Sequence, residues 1–353
     1  MANTPTSTLD TTVPASPEEQ ATQQLFQLAI GFIGSAALQT AVRLGVADQL
    51  ASGPRPIGEI ARAVGANEDA LYRILRALAV FGVFEEMDQR RFALTPAADM
   101  LRSDKPGQRD MALWITSPFH FRAYAELLHS ARTGQPSVEK VVGMPAFEYF
   151  TKDRELSEIF NNAMTSFSAM VVPAALEAYS FGGITTLVDV AGGHGMLLAS
   201  VLQKYPGMRG ILADVDHVIA GAGPRLTAMG VADRVETRAI DFFKAVPEGG
   251  KAYIMKHIIH DWDDDHAAAI LGNIRNALGG KPNGKVILLE AVVPAGNGPD
   301  MSKLLDLEMM VMPGGRERTS AEFEALFARS GFKLTRIVPT KSPLSVIEAV
   351  AVR

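Results

Sequence analysis

Between Ile254 and His266 the chain reads IMKHIIHDWDDDH, three histidines and four aspartates in one short stretch. Such density invites a metal site, and His257, His260, Asp261, Asp263, Asp264, Asp265 and His266 are the residues to sort. Asp263, Asp264 and Asp265 precede HAAAILGNIRNAL, whose Ala267, Ile270, Leu271 and Ile274 make one apolar helical face. Acids in a first helical turn cap free N–H groups and complement the dipole, each worth roughly 0.3–1 kcal/mol. Magnesium would want carboxylates converging from separate elements. The aspartates are therefore expected to start a helix, and no metal is expected. His257 falls in a strand and His266 in the helix, so both are expected to be structural. His260 lies just past the carboxyl end of a strand, where open α/β sheets carry their ligand crevice. An imidazole near pKa 6.5 there suits a general base.

A second motif could hold a nucleotide. VDVAGGHG (Val188 to Gly195) ends an apolar strand and opens a helix, whose N-terminus favours negative charge. After Gly193 and Gly195 the next position of a G-x-G-x-x-G pattern is Leu198, which argues against a dinucleotide. Asp214 ends the second strand about twenty residues on, where an acid can accept ribose hydroxyls. Asp241 ends the third strand beside Phe242 and Phe243, a carboxylate and an aromatic face suited to adenine. Acids at successive strand ends favour adenosine recognition.

These residues need a scaffold. From Thr185 apolar runs alternate with helices, TLVDVAG, GILAD, VETRAID, AYIMKHI and KVILLEAVV being the strands, which predicts a parallel sheet covered on both faces. FKLTRIVP and SVIEAVAV form a closing hairpin-like pair. Ile57 to about Pro96 reads as helix, turn, helix and hairpin, a winged helix, with Asn67 capping its second helix. Between Arg55 and Lys105 eight basic side chains meet eight acidic ones, and the helix that would enter a groove begins Asn67-Glu68-Asp69. Phosphate contacts dominate DNA affinity, so a structural or dimerising role is favoured. Trp114 to Phe181 is helical and aromatic, and Phe160, Met164 and Phe167 are candidates to line an apolar pocket with Met309, Met310 and Met312.

The 353 residues divide accordingly into a tail (1–20), the winged helix (21–105), a helical substrate-pocket linker (106–181) and a cofactor-binding catalytic domain (182–353). The tail, rich in Thr, Ser and Pro, is expected to be disordered and lacks the pattern of a signal peptide. Leu25 to Leu38 is the most membrane-like stretch, short of the roughly 20 apolar residues of a span, and is expected to be a buried helix and a candidate for a subunit interface. A net charge of −5 opposes non-specific nucleic-acid binding. The absence of cysteine excludes disulfides and thiolate-held metals and suits the cytoplasm.

In order along the chain, LVDVAGGHG, RVETRAIDFF, YIMKHIIHDWDDD, VILLEAVVP and PGGRERTSAEFEALFARSGF resemble the S-adenosylmethionine-dependent O-methyltransferases of the caffeate and hydroxyindole type, with their bacterial secondary-metabolite relatives. The resemblance covers nearly the whole chain after the tail. It implies a class I methyltransferase Rossmann-like, mostly parallel sheet with an N-terminal helical and winged-helix dimerisation domain, hence a homodimer. It implies that Gly193, Asp214, Asp241, Phe242 and Lys256 bind S-adenosylmethionine, and that His260 is the base, flanked by Glu290 and Glu317. Glu290 could hold the ring tautomer and Glu317 bracket it from the other side. The acceptor would be a phenolic hydroxyl of a small aromatic metabolite. Ala191 and Ile240 depart from the family, which usually has glycine there, and ADVDHV replaces the usual Asp-Leu-Pro. Rival readings are a relative using the cofactor for hydroxylation or decarboxylation, a ligand-responsive winged-helix regulator, and a dinucleotide oxidoreductase.

Overall fold

The computed structural model describes residues 16–280 and 283–352. The chain divides into two compact units at Thr116/Ser117, inside the stretch read from sequence as a linker. The first unit opens with α1 (Pro17–Arg43), started by a capping box in which Ser16 and Glu19 satisfy each other's amides. Residues 17–20 are therefore helical, a correction to the expected tail, and residues 1–15 lie outside the described residues. Strand β1 (Arg55–Pro56), helices α2 (Ile57–Val64) and α3 (Glu68–Val80), and strands β2 (Phe84–Met87) and β3 (Arg91–Leu94) complete the winged helix. Its sheet is antiparallel with order β1-β3-β2. Asn67 caps α3 by accepting the Ala70 amide at 3.0 Å. The apolar faces of α2 and α3 close on Phe84 and Phe92 around Ile60, Leu71, Leu75 and Leu78.

The stretch expected to be a buried helix is not buried within its own chain. Leu25, Leu28 and Phe32 are 69%, 74% and 64% exposed. By length and composition alone, α1 and the long helix Arg154–Ala178 of the second unit are apolar enough to cross a membrane. Each belongs to a folded unit, α1 packing on α3 and the second on the helix after the first sheet strand.

The second unit contains α4 (Pro118–Ala125), α5 (Arg154–Ala178) and a seven-stranded sheet. Its strands are β4 (Thr186–Val190), β5 (Arg209–Asp214), β6 (Val235–Ala239), β7 (Ala252–Lys256), β8 (Lys285–Glu290), β9 (Phe332–Pro339) and β10 (Ser345–Ala351), in the order β6-β5-β4-β7-β8-β10-β9. The first five run parallel, and β10 is antiparallel to both neighbours. Helix α6 (Met196–Lys204) packs Leu198 and Leu202 on one face, while α7 (Asp264–Ala277) and α9 (Ser320–Arg329) pack Ile270, Ile274, Phe323 and Phe327 on the other. Two faces of apolar burial explain why the central strands are apolar throughout rather than alternating. Helix α8 (Met301–Val311), which the sequence reading treated only as methionine-rich, follows β8. Strand order reverses at β4, so the carboxyl ends of β4, β5 and β7 border the ligand crevice of such a sheet.

Candidate active site

Beyond β7 the chain breaks into a short turn, Ile259–Asp261, that carries His260 nearly buried. His260 Nδ1 lies 2.7 Å from Glu317 Oε1 and 3.8 Å from Glu290 Oε2, and its Nε2 faces Asp261 Oδ1 at 3.5 Å. The two glutamates therefore exchange their expected parts. Glu317 makes the direct bond to the ring. Glu290, at the end of β8, spends Oε1 on the amides of Ile258 and Ile259 at 3.0 and 2.9 Å, which fixes the turn. The physical reason is that a strand-end carboxylate lies beside the free amides of the turn that follows the neighbouring strand.

Burial, then the neighbouring Asp306, pushes the Glu317 carboxyl up to about 8. Burial likewise raises Glu290, against the pull of His260. Asp261 is pushed up to about 7 by burial. The second oxygens of Glu290 and Glu317 are buried without partners, so this polar cluster is held at a cost.

Residues 314–318 grip the turn from outside. The Arg316 amide donates to His260 O at 2.8 Å. The Arg318 side chain, wholly buried, donates to Ile259 O at 3.1 Å, to Trp262 O at 2.9 Å and to Asp264 Oδ1 at 2.8 Å. A guanidinium's planar fork of donors can tie several acceptors at once in this way. Gly315 passes so close that a Cβ would sit 2.0 Å from His260 O. Neither Arg318 nor Gly315 stood out in the sequence. The run RERTSAEF carried the only signal, and it identified a helix start rather than a clamp.

The aspartate run is the start of α7, as expected. Asp263 caps by accepting the His266 amide at 2.9 Å, and Asp264 and Asp265 pair with Arg318 and Arg329. His266 bonds Asp263 at 2.8 Å. His257 is a correction. It lies outside β7 with φ +54°, and its ring centroid is 4.3 Å from that of His260 and 4.9 Å from that of Phe167 on α5. A strand's alternation would have sent it away from His260; the left-handed backbone turns it back. A nitrogen of His257, a nitrogen of His260 and an oxygen of Glu290 come within 4.8 Å of one another, close enough to hold a metal. To serve a metal through Nδ1, His260 would have to give up Glu317.

On the cofactor side, the Gly193 amide donates to Asp214 Oδ2 at 2.7 Å and the Val215 amide to Oδ1 at 2.7 Å. Ala191 takes φ +56°, the backbone that favours glycine, and its amide reaches across to Ala213 O at 2.8 Å. Asp189, buried under the loop with one oxygen unpartnered, is raised to about 7 by burial despite the pull of Lys256. Lys256 is lowered by desolvation while Asp189, Glu290 and Asp261 oppose the shift. Asp189 was not singled out from sequence, because it looked like an ordinary strand residue. Asp241 is exposed, accepts the Phe243 amide at 3.1 Å and pairs with Lys244 at 3.1 Å, which holds its carboxyl below the usual range. Phe242 packs on Phe243 and Trp262, and Asn273 pins both phenylalanine carbonyls at 2.9 Å. A glycine loop opening a helix after β4, an acid ending β5 and an acid and aromatic after β6 fit an adenosine with a charged tail.

Of the six pocket candidates, Phe167 stacks on His257, whose ring in turn lies against that of His260. Phe160 instead packs on Phe150 and Phe147, at 5.0 and 6.4 Å. Met309 and Met312 are buried at the end of α8, and Met310 on α8 and Met164 on α5 are half-buried.

A mostly parallel seven-stranded sheet with this loop and these strand-end acids defines a class I methyltransferase. The chain matches the O-methyltransferase domain over residues 124–333 and the O-methyltransferase dimerisation domain over residues 26–104, and it belongs to that family. It is 41% identical over 325 residues to a phenazine O-methyltransferase of Lysobacter antibioticus, spanning 92% of this chain and 95% of the relative. It is 38% identical over 317 residues to a mitomycin biosynthesis 6-O-methyltransferase of Streptomyces lavendulae, spanning 88% and 89%. The crystal structure of the mitomycin 7-O-methyltransferase MmcR superposes with a TM-score of 0.88 at 34% identity, covering 95% of this chain and 98% of that one. The protein is an S-adenosylmethionine-dependent O-methyltransferase.

Proposed function

We propose that the enzyme methylates a phenolic hydroxyl of a small aromatic secondary metabolite, with His260 as general base. The observation that carries this reading is the 2.7 Å contact between His260 Nδ1 and Glu317. With Glu317 ionised, Nδ1–H donates to it and Nε2 keeps its lone pair for the acceptor's proton. A phenol near pKa 10 is a weak nucleophile, and removing its proton as transfer proceeds is worth about 10²–10⁴-fold. S-adenosylmethionine supplies the methyl group as a sulfonium electrophile. Gly193, Asp214, Asp241, Phe242 and Lys256 would hold it, Asp214 at the ribose and Asp241 with Phe242 at the adenine. Glu317 fixes the tautomer and stabilises the imidazolium that forms, while Glu290 holds the turn. Phe167, Met164, Met309 and Met312 would bound the acceptor, with Phe160 more remote.

No metal is needed in this scheme, and no nucleic acid or membrane. The winged helix serves a homodimer, whose partner would cover the apolar face of α1, in the cytoplasm. Light scattering should give about twice the 37.9 kDa chain mass, and a monomer at micromolar concentration would contradict the dimer. The experiment for the base is His260→Gln, expected to lower kcat by about 10²–10⁴-fold on a panel of phenols with little change in cofactor affinity. EDTA should leave wild-type turnover unaltered. Full turnover by the variant, or loss on chelation with rescue by magnesium, would overturn the assignment.

A further inference from the structure

His257 has no part in that scheme, yet the fold goes to some length to place it. Its backbone sits at φ +54°, a conformation that non-glycine residues adopt uncommonly and that persists where surroundings impose it. Its ring fills the interval between Phe167 and His260, tilted 26° to the first and 35° to the second. A phenylalanine would complete that stack equally well. What histidine adds is Nε2, which is buried and has no partner. A buried polar atom without a partner calls for a ligand that supplies one. Burial, then His260 and Lys256, hold the ring well below its ordinary pKa, so it stays neutral beside a base that becomes charged. A neutral imidazole can donate from one nitrogen without repelling the imidazolium next to it.

The spacing says what the partner must be. A nitrogen of His257 lies within 4.8 Å of a nitrogen of His260. One flat ligand can meet both through heteroatoms on adjacent or peri positions of its ring system.

We propose that His257 selects the acceptor: its Nε2–H donates to a ring nitrogen or carbonyl oxygen placed ortho or peri to the hydroxyl that His260 deprotonates. The substrate class is then a fused aromatic bearing a hydroxyl and a neighbouring acceptor atom. This rests on His260 being the base.

The test uses 8-hydroxyquinoline and 1-naphthol, which differ by one peri nitrogen, binding to the full-length enzyme saturated with S-adenosylhomocysteine in buffer containing EDTA. Wild type should bind 8-hydroxyquinoline about tenfold more tightly, the scale of one hydrogen bond to a buried donor. His257→Phe should bring the ratio near one. His257→Asn, which keeps a donor and tolerates positive φ, should restore part of it. S-adenosylhomocysteine binding by each variant shows that it is folded. Equal binding of the two ligands by wild type overturns the proposal without any variant, and so does a preference that survives in His257→Phe. A variant that loses S-adenosylhomocysteine affinity in step with the acceptor also overturns it, because His257 would then serve the cofactor. A binding preference with no methyl transfer to either ligand when S-adenosylmethionine replaces S-adenosylhomocysteine would uphold His257 and count against the base assignment.

Discussion

Gly315→Ala is the smallest change that should disable the site. The added Cβ would lie 2.0 Å from His260 O, 2.3 Å from the Asp261 carbonyl carbon and 2.6 Å from Trp262 N, all backbone atoms that no side-chain rotation can clear. Comfortable nonbonded contact needs roughly 3.5 Å, so the clamp and the turn must part by about 1.5 Å. Opened by that much, the 2.8 Å bond from the Arg316 amide to His260 O and the 2.7 Å contact of Glu317 with Nδ1 both pass beyond hydrogen-bonding range. A misplacement of about 1 Å in a reacting group costs about 10²-fold, and loss of the tautomer lock adds to it. The expected result is a fall in kcat of at least about 10²-fold. S-adenosylhomocysteine affinity should stay within about threefold of wild type, because Gly193 and Asp214 lie on other elements and because that fall reports a transition-state interaction. Steady-state turnover of an accepted phenol and titration calorimetry read the two quantities. A variant with kcat within about threefold of wild type would refute the reasoning that backbone contact, rather than the glutamates alone, aims His260.

Three further outcomes follow from the geometry of the site. Because Glu317 sits at about 8 and must ionise before Nε2 is free, turnover should rise with pH with a midpoint nearer 8 than the roughly 6.5 of free imidazole. Glu317→Gln, whose amide oxygen accepts from Nδ1 at every pH, should lower both the midpoint and the plateau, and an unmoved midpoint would exclude Glu317 as the cause. The raised pKa also means that Glu317 binds its proton more tightly when folded, so its contribution to stability is present below about 4.5 and lost as pH rises through about 8. The melting temperature of Glu317→Gln should accordingly gain on wild type across that range. Asp214→Ala removes the acceptor of the Gly193 and Val215 amides and should weaken S-adenosylhomocysteine binding by about 1–3 kcal/mol. Calorimetry showing unchanged binding would remove Asp214 from the cofactor site.

Periodicity made most of the scaffold legible. Continuous apolar runs marked the buried parallel strands, and the aspartate run after Trp262 announced α7 because first-turn acids have one common use. His260 was legible because it stands at a strand's carboxyl end. His257 was misjudged because strand alternation holds only while φ stays extended, and nothing in KHII signals a left-handed residue. The roles of Glu290 and Glu317 were exchanged because sequence gives the end of a strand but not which oxygen meets a free amide. Asp189 was passed over because a single aspartate in an apolar strand has no pattern to announce it. The helix α1 was expected to be buried on composition alone, and composition does not say whether the covering surface comes from the same chain.

His260 and Glu317 are 57 residues apart in sequence, and Glu317 arrives on the segment that follows α8, the helix bearing Met309. Glu317 is held in turn by Asp306 of that helix, which accepts its amide at 2.8 Å. Altering α8 to admit a new acceptor therefore moves the carboxylate that meets His260. Attempts to broaden the range of acceptors by randomising residues 301–312 alone should yield variants that bind new compounds and turn them over poorly. Transplanting 301–318 from a relative as one cassette, with its own Gly-x-x-Arg spacing intact, keeps aim and selectivity together.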